Sequence, residues 1–176
     1  MPFDLQPHLQ NEFVKLVPLK ESDFEMLYKV ASDPLIWEQH PNKNRWKKDV
    51  FETFFKGAIE SKGAFIIYDA ATNEAIGSSR FYDWIEEKSE VSIGYTFFAR
   101  SHWGGKYNPA TKQLMMEHAF KYVDNIIFHI GANNVRSQKA IELLGAIKID
   151  EQEIAYYGED SKLNYIYRIQ KNSFLF

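Results

Sequence analysis

The spacing of apolar residues changes along the chain, and the changes mark its elements. Phe13 to Leu19 alternates loosely and predicts a strand. Phe24, Leu27, Tyr28 and Ala31 then fall at helical spacing, with Ser22 ahead of them as N-cap. Asp33-Pro34 restarts the chain as a short helix toward Trp37. The stretch His40 to Trp46 carries a proline, two asparagines and basic residues, which predicts a loop. Asp49 caps a helix along Val50, Phe54 and Ala58 that stops near Gly63.

A run of strands follows. Ala64 to Tyr68 is apolar, and Asp69 to Asn73 makes a turn. Ala75 to Trp84 and Ser89 to Phe98 pair as a hairpin around Glu86-Glu87-Lys88. Arg100 to Asn108 is a loop, Pro109 to about Val123 a helix, and Ile126 to Ile130 a short apolar strand broken only by His129. Asn134 opens another helix, which ends near Gly145. Ile147 to Tyr157 and Leu163 to Ile169 form a terminal hairpin turning at Gly158-Glu159-Asp160. The order is β-αα-βββ-α-β-α-ββ, a mixed α/β arrangement with antiparallel strands in the middle and a β-α-β crossover after them. No repeat, low-complexity stretch or Gly/Ser linker divides the chain, so residues 1–176 read as one domain.

Composition narrows the classes. The chain has no cysteine, which removes disulfides, thiolate metal sites and a thiol nucleophile, and agrees with a cytoplasmic protein. Net charge is −3 with neither sign in a block, which argues against nucleic-acid binding without excluding a local basic site for phosphates. Met1 to Asn11 lacks the basic and apolar regions of a signal peptide, and no apolar run approaches membrane-spanning length. Fourteen Phe, ten Tyr and four Trp suggest a core or cleft built from flat side chains.

The most informative segment is Trp103-Gly104-Gly105-Lys106-Tyr107-Asn108-Pro109, between a predicted strand and a predicted helix. Asn108 suits an N-cap and Pro109 the first helical position, which needs no N–H donor. Two glycines just before let the backbone approach a ligand without a Cβ in the way. The free N–H groups of a helix start make an anion site, and Lys106 adds a full charge. A glycine turn that merely redirects the chain would look the same. The Walker pattern fails because Tyr107 follows the lysine and Arg100 stands where its first glycine belongs, and the dinucleotide fingerprint lacks its third glycine.

A second cluster joins it. Asn134-Val135-Arg136-Ser137 opens the next helix, followed by Ala140, Leu144 and Gly145. Ile93-Gly94-Tyr95 on a strand, then Trp103-Gly104, then Asn134 to Gly145, resembles the GNAT acetyltransferases. The likeness is to the branch of ribosomal-protein N-terminal acetyltransferases of the RimJ/RimL type. Weaker similarity runs through Ser32-Asp33-Pro34 and the terminal hairpin. The superfamily loop is Q/R-x-x-G-x-G/A, whereas Ser101 to Lys106 here begins with Ser and ends with Lys, so Gly105 stands one place early and Lys106 is expected to pair with a phosphate.

The resemblance implies a GNAT fold, a mostly antiparallel central sheet flanked by helices. It also implies acetyl-CoA as co-substrate and transfer of its acetyl group to a primary amine, on a protein N-terminus or a small molecule. Main-chain groups of Phe97, Phe98 and Ala99 would hold the pantetheine arm in a splay beside the strand Ile126 to Ile130. Trp103 and the backbone of Gly104, Gly105, Lys106, Tyr107 and Asn108 would hold the pyrophosphate. Asn134 would contact the pantetheine, Arg136 would reach a phosphate, and Ser137 would donate to the leaving thiolate. Asn134 and Ser137 are also strong cap residues, and capping alone would explain them. Glu90 alternates with Ser92 and Gly94 on one strand face, which makes it the acidic candidate for a general base, or simply a solvated hairpin charge. Trp37 and His40 are expected to touch the acceptor from the aromatic loop. His129 and His118 read as packing residues, and Tyr156 and Tyr157 as core or cleft. Without a cysteine, direct attack in a ternary complex is favoured over an acyl-enzyme. A homodimer is common among similar enzymes. The rival reading is a CoA-binding module that keeps the fold with little or no catalysis.

Overall fold

The computed structural model describes residues 2–156 and 158–174, so Tyr157 and the end of the predicted strand to it lie outside the described residues. An eight-stranded sheet forms the frame: β1 (Leu9–Gln10), β2 (Val14–Pro18), β3 (Ala64–Asp69), β4 (Ala75–Ile85), β5 (Glu90–Phe98), β6 (Asn125–Gly131), β7 (Ile147–Ile154) and β8 (Lys162–Gln170). Its spatial order is β1-β2-β3-β4-β5-β6-β8-β7. Neighbours run antiparallel except β5 and β6, the pair joined by a helical crossover. The four helices are α1 (Phe24–Ala31), α2 (Lys48–Ser61), α3 (Tyr107–Ala119) and α4 (Val135–Leu143). Against the predicted order, β1 is the added element; two residues are too few to carry a period.

Strand alternation divides the core between the two faces. Phe65 and Ile67 pack with Met115, Met116 and Phe120 on the α3 side. Ala64 and Ile66 pack with Leu27, Phe51, Phe54 and Phe55 on the α1–α2 side.

Three helix starts differ from expectation. α1 begins at Phe24 behind a 3-10 turn over Glu21–Asp23, and Asp23 rather than Ser22 is its N-cap. α2 begins at Lys48, so Asp49 lies inside the first turn and Lys47 precedes it without a side-chain cap. α3 begins at Tyr107 after an uncapped Lys106, which moves Asn108 and Pro109 to the second and third positions. None of these three starts carries a side-chain cap hydrogen bond. Asn134 does cap α4, with its side chain accepting from the Ser137 N–H at 3.3 Å.

The feature that makes a site lies between β5 and β6. They pair only over Glu90–Asn125, Val91–Ile126 and Ser92–Ile127. Beyond that, β6 stays paired with β8 as far as Gly131–Asn164, while β5 stays on β4 as far as Phe98–Gly77. The strands therefore splay. A bulge drives β5 outward: the register moves from Arg80–Gly94 to Ser78–Phe97, so Ser79 faces two residues, and Tyr95 takes the left-handed backbone at φ 54°.

Candidate active site

The splay opens into a cleft of about 660 Å3. Ile93 to Phe98 form one wall and Phe128 to Gly131 the other. The starts of α3 and α4 converge on it, bringing Trp103, Gly104, Gly105 and Asn108 opposite Asn134, Arg136 and Ser137. The two helix starts also touch. The Arg136 guanidinium lies 3.9 Å over the Trp103 ring, and the Trp103 indole N–H donates to the Phe98 carbonyl at 2.8 Å.

Gly104 and Gly105 sit at φ 69° and 70°, and a Cβ on either would meet nothing within 4 Å. The backbone requires glycine there, and the loop stands open on the cleft side. The first-turn N–H groups of α3 have no intrahelical acceptor, which suits an anion. Asn108 Oδ1 is buried without a hydrogen-bond partner, an acceptor left for something that enters. Arg136, Lys139 and Lys112 add positive charge to the lining. Open glycine backbone, free donors and cations together fit a phosphate-rich cofactor.

Most of the expected residues are brought together: Phe97, Phe98, Trp103, Gly104, Gly105, Asn108, Asn134, Arg136, Ser137, Trp37 and His40 all line the cleft. Four expected residues lie elsewhere. Ala99 gives its N–H to the Ile76 carbonyl and so closes onto β4. The Lys106 ammonium lies 4.7 Å over the Phe13 ring, turned from the cleft by a cation–π contact. The Tyr107 side chain turns away, its hydroxyl donating to Asp69 at 3.1 Å, while its main chain opens the first turn of α3. Glu90 sits at the closed end, paired with Asn125 where the strands have not yet parted. Among the described residues, no Asp or Glu lines the cleft.

Three lining residues, Lys112, His129 and Arg45, were not foreseen, while Tyr156 takes the cleft place that the sequence left open beside a core one. Lys112 is buried on α3 and donates to the Thr96 hydroxyl at 2.7 Å, and burial brings its ammonium down to about 7. His129, two residues past the last β5–β6 pair, faces the cleft with Nδ1 3.2 Å from the Tyr82 hydroxyl. Burial lowers its imidazole below the ordinary range, so it stands neutral near pH 7. The break in the apolar run at His129 was the visible signal, but a packed core histidine gives the same pattern. Arg45 comes from the loop before α2, and Tyr156 from the far hairpin. His118, by contrast, lies away from the cleft: its Nε2 donates to the Asp4 carbonyl at 2.7 Å and its ring packs beside Phe3 and Tyr122.

The Acetyltransferase (GNAT) domain family matches residues 14–147. The chain belongs to this family. No curated protein matches it. Solved structures share the fold at low identity. A GCN5-related N-acetyltransferase from Brucella melitensis superposes with TM-score 0.80 at 15% identity, over 98% of this chain and 82% of that one. Mycobacterium smegmatis RimJ, in complex with CoA-disulfide, gives 0.70 at 15% identity, over 94% and 87%. Spermidine N-acetyltransferase from Vibrio cholerae, with CoA and spermine, gives 0.66 at 15% identity, over 93% and 98%. The GNAT chain described here has no helix, among the described residues, long and apolar enough to cross a membrane.

Proposed function

We propose that this GNAT protein transfers the acetyl group of acetyl-CoA to a primary amine by direct attack within a ternary complex. One observation carries the reading: the parting of β5 from β6 after Ser92–Ile127, with the Gly104-Gly105 loop and the Asn134–Ser137 helix start converging on the gap. Bound acetyl-CoA supplies a thioester already activated toward amines. The protein's part is to hold it, orient it and move protons.

The exposed edge of β5 would hold the pantetheine arm, and the open backbone of Gly104 and Gly105 with the first turn of α3 would hold the pyrophosphate. Ser137 would hydrogen-bond the sulfur and donate its proton to the leaving thiolate as the carbon–sulfur bond breaks, regaining one from water. With no carboxylate in the lining, the proton leaving the amine passes to His129, directly or through one water. His129 is neutral near pH 7, and its Nε2 makes no hydrogen bond among the described residues. His40 is a poorer base, because its Nδ1 faces the Asn42 N–H at 3.0 Å and its Nε2 faces Arg45 at 3.2 Å.

Calorimetric titration with acetyl-CoA, beside Gly104→Glu, tests the cofactor half. Saturable binding lost in the variant is expected; no binding by the folded wild type overturns the reading. Release of CoA thiol across an amine panel tests the transfer. Tight binding with no turnover on any amine would favour a non-catalytic CoA-binding module.

A further inference from the structure

Behind the acceptor wall lies a charge without a carboxylate of its own. Arg45 lines the cleft and Arg80 lies behind it, 1% and 5% exposed, in a protein whose net charge is −3. Arg45 is satisfied: its Nε and Nη2 donate to the two Glu159 oxygens at 2.7 and 2.9 Å. Arg80 is not. Its Nε is buried with no hydrogen-bond partner, and no carboxylate pairs with it among the described residues. It keeps its charge nonetheless, since burial lowers its guanidinium only to about 10.

Aromatic rings hold Arg80 in place. The guanidinium lies 3.7 Å from the Tyr95 ring centroid and 5.4 Å from that of Phe54. Such contacts offset only part of the cost of taking a cation out of water, so an anion is still called for. Tyr95 is the residue at the β5 bulge, and it lines the cleft, so Arg80 stands one ring behind the cleft wall. From Tyr95 the path to the base is short: its ring is 5.0 Å from Tyr82, whose hydroxyl is 3.2 Å from His129.

We infer that the acceptor is a small amine that carries its own anionic group, a carboxylate or a phosphate, with the anion drawn to the Arg80–Tyr95 side and the amine to His129. The inference rests on the acetyl-transfer reading and names its substrate class. Polyamines fit badly, because after Arg45 and Glu159 cancel, this wall keeps one positive charge and the lining offers no carboxylate to an ammonium.

The test is calorimetric titration of the full chain, saturated with CoA, with matched pairs: phenylalanine against phenethylamine, aminoethyl phosphate against ethanolamine, and spermidine alone. The anion-bearing member of at least one pair should bind tenfold or more tighter than its bare amine, and the pair that responds identifies carboxylate or phosphate. Arg80→Met should remove that advantage and Arg80→Lys keep part of it. Should Arg80→Met not fold, the wild-type advantage must still shrink as salt rises. Equal binding within both pairs, tighter binding of spermidine, or no binding by any member overturns the inference. Thiol release measured on the same amines separates the two readings: turnover of bare and anionic amines alike sinks the acceptor class alone, whereas failure to bind CoA sinks acetyl transfer itself.

Discussion

Lys112 holds its ammonium 2.7 Å from the Thr96 hydroxyl, whose oxygen lies 2.8 Å from that of Ser79, so a buried lysine in the cleft is met by a hydroxyl pair and, among the described residues, by no carboxylate. Its value of about 7 lies below the ordinary 10.5 of a lysine. Between those two values the folded state holds fewer protons than the unfolded chain, so stability rises with pH across the window. Below pH 7 the full cost of the buried charge is present, on the order of 5 kcal/mol. Denaturant unfolding of the free protein from pH 6.5 to 9 should show this rise, and Lys112→Met should flatten it. An unchanged slope in the variant would place the titration elsewhere.

The same lysine links cofactor to proton. Coenzyme A brings several negative charges into a cleft that Lys112 lines, which favours the charged ammonium. Acetyl-CoA binding near pH 8 should therefore take up a fraction of a proton, seen as a buffer-dependent calorimetric enthalpy. Lys112→Met should lose that dependence and bind more weakly.

Gly105→Ala separates strain from obstruction. At φ 70° the alanine costs roughly 1–2 kcal/mol of stability, while its Cβ meets no protein atom within 4 Å. On the proposed reading, its methyl group would stand where a phosphate rests. The loss of acetyl-CoA affinity should exceed what the drop in melting temperature implies; equal losses would mean the loop is only a turn.

Ser137→Ala and His129→Gln should lower kcat, each by about 100-fold, with the KM for acetyl-CoA changed little. Ser137 is the less encumbered test, since Asn134 caps α4 through the Ser137 main-chain N–H and the cap survives the change. A rise in KM with kcat unchanged would make either residue a binding group.

The fold was legible in the sequence wherever a signal was local. Strand alternation gave the hairpin of β4 and β5, and Asn134 announced a helix start that reaches the cleft. The Gly104-Gly105 pair was readable because left-handed backbone has few alternatives to glycine. Lys106 misled because its charge was visible and its neighbour Phe13, 93 positions back, was not. Glu90 misled because alternation assigns a face of the strand but not a depth along the cleft. Arg45, Arg80, Lys112 and His129 acquire meaning only from contacts across the sheet, which no local pattern encodes.

Arg45 meets Glu159 across 114 positions of chain. Removing the acid while leaving the arginine buried, as in Glu159→Gln, should cost about 3 kcal/mol in denaturant unfolding. The pairing also couples distant parts of the molecule. Glu159 sits at the tip of the far hairpin and Arg45 lines the cleft, so a displacement of that tip moves a residue of the cleft wall with it.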